Sequence, residues 1–279
     1  MKTGPETKTI GVGRTPVTIA AIAGLFLLLL LGTRGEALAG HPFGTEDAGT
    51  QGKGNVEVEF NLERQHGNDG AKTTSLGNSF TMGIAPKVDL AVGYAYDFTK
   101  ADDGTKSRGM GPFEATLKTA VIEGKDRVPT LGVKAGFSLP TAEGEQVALL
   151  ATAIAEWSFE PVTIFANVGA DIGTHLAGNA DRTTAIRASL AGSWEVRKEW
   201  YLLSELLWEK QTSPSGPSSG EWLIGAKKEI TDRLSVDAGV RWGLNGDSPH
   251  VTYLLGLTLG FRGDPSAKTP VPTAGDATK

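Results

Sequence analysis

The stretch LSVDAGVRWG, residues 234–243, alternates apolar side chains with small or polar ones at every position. A period of two residues is that of a β-strand, whose successive side chains point to opposite faces. The stretch VTYLLGLTLGF, residues 251–261, has apolar residues at its odd-numbered positions and mostly small or polar residues between them. Both stretches therefore predict strands with one apolar face.

Period-2 alternation recurs along most of the chain, and no helix-period pattern runs for long. Residues 147–158 and 201–211 are ambiguous, because the first is apolar on both faces and the second contains two leucine pairs. With the two stretches above, about twelve strands are predicted. The ten additional segments are 55–65, 74–84, 89–99, 111–122, 129–139, 147–158, 162–173, 183–196, 201–211 and 221–229.

The links between these segments alternate in length, which points to a membrane barrel. Outer-membrane barrels join an even number of strands by short periplasmic turns and long outer loops. The pattern predicts an all-β fold, a transmembrane antiparallel up-and-down β-barrel of about 12 strands over residues 54–262, with both termini in the periplasm. Short links fall near 85–88, 123–127, 159–161, 197–200 and 230–233; longer polar links fall near 66–73, 100–110, 140–146, 174–182, 212–220 and 244–250.

Charged residues fall on one face of the predicted strands. In lipid the sheet must close on itself, and an Arg or Lys on the lipid face at mid-depth costs about 2–4 kcal/mol. A barrel of this size is narrow, so an open polar channel and a packed lumen both remain alternatives. The candidate lumen-lining residues are Glu57, Glu59, Glu63, Asp97, Glu114, Lys118, Lys134, Asp171, Arg187, Glu195, Glu205, Lys227, Asp237 and Arg241.

Residues 1–39 have the order of a signal peptide. Basic residues come first, residues 17–32 are apolar, and Ala37-Leu38-Ala39 forms a small-x-small cleavage pattern. A membrane anchor is the competing interpretation, but the apolar run is shorter than the roughly 20 residues that span a bilayer. Residues 40–53 are expected to be a periplasmic or lumen-inserted segment, and residues 263–279, rich in Pro, Thr, Ala and Gly, a disordered periplasmic tail.

Composition limits the chemistry of the chain. Of its 279 residues none is cysteine, which excludes disulfides and thiolate metal sites, and the net charge of −5 argues against nucleic acid as a partner. No cofactor motif or metal-ligand cluster is evident, so no cofactor and no metal are expected. The expected partners are outer-membrane lipid, a small-molecule solute and the assembly machinery that reads an aromatic-ended last strand, here ending at Phe261.

Two motifs resemble a known family. Residues 41–54, HPFGTEDAGTQGKG, run straight into the first predicted strand, and residues 230–234, ITDRL, form a short link. Both resemble sequences of the Gram-negative outer-membrane proteins grouped as the MetA-pathway of phenol degradation family. The resemblance implies a β-barrel with a transport role and brings no catalytic residue with it.

The function expected from these patterns is passive passage of small solutes, aromatic or other small organic compounds, across the outer membrane, and not catalysis. A barrel enzyme acting on lipid and a structural barrel with a closed lumen are the alternatives. The enzyme would need an activated nucleophile. Ser248 lies two residues before His250, but no oriented base–acid partner is evident.

Overall fold

The computed structural model describes residues 41–125, 127–141, 147–174, 183–213 and 215–263. This part of the chain forms thirteen β-strands and no helix, and it holds no helix that is long and apolar enough to cross a membrane. The strands are β1 (Val56–His66), β2 (Lys72–Ala85), β3 (Val88–Lys100), β4 (Lys106–Met110), β5 (Phe113–Ile122), β6 (Thr130–Leu139), β7 (Ala148–Phe159), β8 (Val162–Gly173), β9 (Thr184–Arg197), β10 (Trp200–Gln211), β11 (Ser218–Thr231), β12 (Leu234–Gly243) and β13 (Val251–Phe261).

The sheet is antiparallel and closes on itself. Consecutive strands pair with each other, except β4 and β5, and β1 pairs with β13 from Val56 opposite Phe261 to His66 opposite Val251. Both β4 and β5 pair with β3, at successive parts of its length, and together they act as one barrel strand. The result is a closed 12-strand barrel, as the sequence predicted, and among the described strands β4 alone keeps an edge without a strand partner.

The short strand β4 lies inside residues 100–110, which the polar composition predicted as a loop. It pairs with the end of β3, with Lys106 opposite Lys100 and Met110 opposite Tyr96. Pro112 separates β4 from β5, because proline cannot donate a hydrogen bond to a neighbouring strand. The loop is therefore shorter than predicted, since backbone pairing extends this hairpin regardless of side-chain polarity.

Register resolves the two ambiguous strands. In β10, Leu206 lies opposite Leu190 and Trp222 on the outward face, whereas Leu203 points inward and is 4% exposed. In β7, Leu149 points outward and Ile154 points inward. Both inward faces carry apolar residues because residues 41–55 lie inside the barrel and offer them a surface to pack against, as described below.

The outward face forms an apolar belt. On β3 the outward residues run from Val88 to Phe98, ten steps at about 3.3 Å each and a tilt of about 40°, which gives a height of about 25 Å. That height matches the apolar band of outer-membrane barrels. Trp194, Trp200, Trp222 and Trp242 are exposed on the same face.

Candidate functional site

The N-terminal segment, residues 41–55, contacts inward-facing side chains around most of the barrel. At its start, His41 Nδ1 lies 2.5 Å from Asp237 Oδ1, and the His41 backbone N–H points toward Glu59 Oε1 at 3.5 Å. Gly256 lies beside this pair, and a Cβ there would overlap both His41 and Asp237. The segment is thereby attached to the β12–β13–β1 wall.

A buried carboxylate holds the segment to the next part of the wall. Glu205 Oε1 accepts hydrogen bonds from the Thr45 backbone N–H at 2.6 Å and from Thr45 Oγ1 at 2.7 Å. The Glu205 side chain has 0% solvent exposure, and Arg241 Nη2 lies 3.9 Å from its other oxygen. A buried carboxylate needs such partners, because without them its burial would cost several kcal/mol. Thr45 therefore fills a site that the wall would otherwise leave unsatisfied.

On the opposite wall, two lysines bind the acidic pair of the segment. Lys118 Nζ donates to Asp47 Oδ1 at 2.8 Å, and Lys134 forms an ion pair with Glu46. Burial alone would raise the pKa of Glu46, but the ammonium groups of Lys134 and Lys118 lower it to about 2. Glu46 is therefore charged throughout the physiological range.

Backbone contacts fix the end of the segment where it enters β1. The Gln51 backbone N–H donates to both carboxylate oxygens of Asp89, at 2.9 and 3.1 Å, and the Gly54 N–H donates to the Gly83 carbonyl at 2.7 Å. Gly52 and Gly54 have φ values of 75° and 83°, which favour glycine. A Cβ at Gly83 would overlap the Gly52 carbonyl oxygen.

The segment separates two spaces at the level of Glu205. Toward the long loops, Leu207 packs within 3.3 Å of where a Cβ on Gly44 would stand; toward the short turns, Leu203 lines a cavity of about 260 Å³. Phe43 lines the same cavity, 6.0 Å from the Phe165 ring. Tyr201, an aromatic near a strand end that would suit the lipid interface, instead points into this cavity.

The space on the long-loop side is lined by a second set of charges. Arg187 lies 2.6 Å from Asp171 and 2.7 Å from Glu209, with its side chain 53% exposed. Deeper in, Arg241 Nε lies 3.7 Å from Glu221. This cluster leaves the outer part of the lumen polar and open to solvent.

All fourteen candidates from the sequence occupy inward positions, on the face opposite the exposed apolar residues. The structure brings eight of them into contact with the segment or with another part of the wall: Glu59, Lys118, Lys134, Asp171, Arg187, Glu205, Asp237 and Arg241. Arg241 joins Glu205, and Lys227 lies 3.9 Å from Glu229. Of the remaining candidates, Glu57 is buried beside Gln51 of the segment, and Glu195 accepts a hydrogen bond from the Glu199 N–H. The candidates that line the wall away from these contacts are Glu63, Asp97 and Glu114.

Five wall carboxylates were absent from the sequence candidates: Asp89, Glu156, Glu209, Glu221 and Glu229. Extending the period-2 pattern to the strand ends would have found them. With them, acidic inward positions in the described strands outnumber basic ones more than twofold. The acidic positions are Glu57, Glu59, Glu63, Asp89, Asp97, Glu114, Glu156, Asp171, Glu195, Glu205, Glu209, Glu221, Glu229 and Asp237; the basic positions are Lys118, Lys134, Arg187, Lys227 and Arg241.

Hydrogen bonds to neighbouring residues hold the Ser248 side chain in place. Its hydroxyl accepts from the Gly220 N–H at 2.9 Å and lies 2.7 Å from both the Gly220 carbonyl and Asn245 Oδ1. His175 falls outside the described residues. Within the described ranges, no group of three or more His, Asp or Glu residues is arranged to hold a metal ion.

Solved structures with this fold include several outer-membrane proteins. The COG4313 outer membrane channel from Pseudomonas putida F1 is similar at a TM-score of 0.61 and 13% identity, covering 77% of this chain and 98% of that one. The NanC porin is similar at 0.51 and 10% identity, covering 73% and 98%. The translocator domain of the autotransporter NalP from Neisseria meningitidis is similar at 0.52 and 12%, covering 88% and 97%.

Because a channel, a porin and a translocator share this architecture, the likeness shows the fold and does not choose among functions. Comparison with curated protein sequences finds no match. A family model described as "Putative MetA-pathway of phenol degradation" matches residues 39–261, which include every strand of the barrel and the N-terminal segment. The chain belongs to this family.

Proposed function

We propose that the protein is an outer-membrane channel for passive passage of small solutes, narrowed by its N-terminal segment. The observation that carries the proposal is a polar lumen inside an apolar belt of membrane height, with a solvent-exposed charged space on one side of the segment and a cavity on the other. The names of two structural neighbours, an outer membrane channel and a porin, agree with it.

The proposal includes an orientation. The long loops face the exterior, the short turns and both termini face the periplasm, and residues 1–39 are removed as a signal peptide. Cleavage after Ala39 would leave His41 as the second residue of the mature chain, where it binds Asp237 inside the barrel. Residues 263–279 would then be a periplasmic tail.

The cavity supports a small, partly aromatic solute. Its lining combines Phe43, Phe165 and Leu203 with the polar groups of Tyr201 and Lys227. A volume of about 260 Å³ lies just below the usual range of ligand pockets, about 300–1,000 Å³, and suits a molecule the size of one ring. A solute of this kind would make apolar contacts along one side and hydrogen bonds along the other.

Solute permeation into liposomes tests the proposal. Liposomes containing the purified barrel are mixed with isotonic arabinose or sucrose, and swelling is followed by light scattering. The pentose should enter faster than the disaccharide, because the lumen is narrow. Rates equal to those of protein-free liposomes for every solute would contradict a channel.

A closed structural barrel is the second candidate, and the segment itself favours it. Contacts to walls on opposite sides of the lumen, at Glu205 and Lys134, leave the segment firmly placed across the interior. Such a barrel would give no swelling with any solute, whereas a narrowed channel would pass the smallest ones.

Lipid hydrolysis is the alternative from the enzyme class, and we infer that the protein does not perform it. The Ser248 hydroxyl is held by the Gly220 backbone, and no base–acid pair orients it among the described residues. Release of fatty acid from phosphatidylglycerol vesicles by the purified protein, in excess of a Ser248→Ala control, would overturn this inference.

A further inference from the structure

The outward face of the barrel carries an uneven distribution of charge. Every acidic residue in the described strands faces inward, and the outward charges are basic and lie at strand ends. At the long-loop end, β10 contributes Lys210 alone, whereas the adjacent strands β1–β4 contribute five basic residues. We call these five the basic cluster: Arg64, Lys72, Lys100, Lys106 and Arg108.

Three lysines of the basic cluster stand in one row across the sheet. Lys72 on β2 lies directly opposite Lys100 on β3, and Lys100 lies directly opposite Lys106 on β4. Like charges at directly opposed positions, with Cβ atoms about 4.5–5.5 Å apart, destabilise a sheet. All three side chains are exposed, and no described carboxylate lies within 4.0 Å of their ammonium groups. The three ammonium groups therefore repel one another unless an anion lies against them.

The two arginines stand one row nearer the membrane. Register places Arg64, Thr74, Phe98 and Arg108 side by side on β1 to β4, and Arg64 donates to the Thr74 hydroxyl. Phe98, between them, is 43% exposed. An aromatic residue flanked by two guanidinium groups is typical of the boundary between an apolar and a polar layer.

Below the arginines the same four strands are apolar. Leu62, Leu76, Tyr96 and Met110 form the next outward row. The basic cluster therefore caps the belt at the height where acyl chains give way to headgroups.

The acidic residues of the adjoining loops do not neutralise the cluster. Asp69 accepts a hydrogen bond from the Ala71 N–H at 3.0 Å, and Asp103 accepts from the Thr105 N–H at 2.8 Å. The Asp103 contact lowers the pKa of that carboxyl, whose function is to close its own turn. Asp102 lies against Gly70 in the neighbouring loop. Among the described residues, the five cations therefore face the three carboxylates of these two loops, two of which bond to their own loops.

We propose that the basic cluster is a binding site for the phosphorylated headgroup of the glycolipid that forms the outer leaflet of a bacterial outer membrane. The lysine row contacts phosphate as point charges, and the arginine pair holds phosphate oxygens through paired N–H donors. The apolar row below receives the acyl chains, which a free phosphate could not use. The inference rests on the proposed orientation, with the long loops outside.

Binding of purified lipid A by the folded barrel in detergent tests the site. The probes are bisphosphorylated lipid A, the same lipid after phosphatase treatment, and inorganic phosphate, with binding read by native mass spectrometry. The variant K72S/K100S/K106S should bind bisphosphorylated lipid A at least about tenfold more weakly, and added salt should weaken wild-type binding. The control K87S/K210S/K228S removes the same charge elsewhere and should bind within about twofold of wild type.

Three results would overturn the site: equal binding by the lysine variant and wild type, equal binding of the dephosphorylated lipid, or full displacement by inorganic phosphate. A heat-dependent gel shift identifies folded protein, and R64Q/R108Q replaces the lysine variant if that variant does not fold. Solute permeation by the same preparations separates the two proposals. A lysine variant that loses lipid A but passes solute normally supports the site, and a wild type that binds lipid A without passing solute contradicts only the channel.

Discussion

At the scale of single residues, the interior of the barrel depends on charges that meet across long stretches of sequence. Glu46 and Asp47 carry the segment's negative charge to Lys118 and Lys134 on the far wall. These side chains keep between 16% and 33% of their exposure, so water screens them only in part. These ion pairs hold the segment against the wall, and their partial exposure lets water compete for the same charged groups.

Lys134→Gln should loosen the segment and widen the lumen. Removing one partner of a buried pair costs about 3–5 kcal/mol, and partial exposure reduces this to about 1–3 kcal/mol. We expect single-channel conductance to rise at least about twofold, because the segment then leaves its wall contact more often. Lys87→Gln, which breaks the exposed pair with Glu123 on a short turn, is the control and should change nothing. Equal conductance for the two variants would show that the Glu46 contact does not restrict the lumen.

The depressed pKa of Glu46 predicts how this contact depends on pH. A carboxyl with a lowered pKa contributes stability that is fully present above its ordinary value of 4.5 and is lost as pH falls toward about 2. The conductance ratio of Glu46→Gln to wild type should therefore stay constant from about pH 7 to about pH 4.5 and approach one near about pH 2. A ratio that reaches one by about pH 5 would disprove the lowered pKa.

Most inward residues were predictable, but their partners were not. Period-2 alternation identifies Asp237 and Glu205 as inward, because a strand has only two faces. It cannot show that His41 and Thr45, 196 and 160 residues away, would meet them, since those contacts depend on the path of a segment without regular structure. Because the sequence does not show the path of the segment, the orientation of the leucine pairs in β10 was ambiguous as well.

At the scale of elements, β2 and the segment are fitted to each other at one glycine. Gly83 exchanges backbone hydrogen bonds with the end of the segment, at 2.7 and 2.9 Å, and leaves no room for a side chain. Gly77 points inward on the same strand, but a Cβ there would meet Asn61 at an ordinary 3.5 Å. Comparing substitutions at Gly83 and at Gly77 therefore distinguishes displacement of the segment from a disturbance of β2 itself.

Gly83→Ala should displace the segment where it enters β1, and Gly77→Ala should not. Trypsin should cut Gly83→Ala at Lys53 at least about tenfold faster than it cuts Gly77→Ala, because cleavage requires local release of the backbone. The heat-dependent gel shift should persist in both variants, since the barrel hydrogen bonds remain. Equal cleavage rates would mean that the Gly52–Gly83 contact does not hold the segment.

Strands were predicted where their side chains alternate between apolar and polar, and β4 was missed because its side chains show no such alternation. The alternation in 234–243 and 251–261 is confirmed as β12 and β13 with both neighbours paired. The strand β4 is polar and glycine-containing, and only Met110 at its membrane end belongs to the apolar belt, so its side chains show no apolar alternation. Its pairing with β3 rests on backbone hydrogen bonds that no side chain signals.

At the scale of the whole molecule, the barrel separates charge by face. Inward positions are predominantly acidic, and outward charges are basic. A narrow acidic lumen concentrates cations and repels anions, because low-dielectric walls focus the field.

The channel should therefore prefer cations. Under a KCl gradient, the zero-current potential should have the sign of potassium permeation and decrease as ionic strength rises. The variant E63Q/D97Q/E114Q neutralises carboxylates away from the segment contacts and should move the potential toward zero. The variant K210Q, on the outward face, is the control and should leave it unchanged. A zero-current potential with the sign of chloride permeation would contradict control of the lumen by its inward carboxylates.

Single-channel recording of the purified, folded protein in a planar lipid bilayer tests the channel most directly. A lumen narrowed but not sealed by the segment predicts small, stepwise and sustained increases in current, which deletion of residues 41–50 enlarges. A bilayer that shows no steps with the intact barrel, although the heat-dependent gel shift proves it folded, would contradict passage through the lumen.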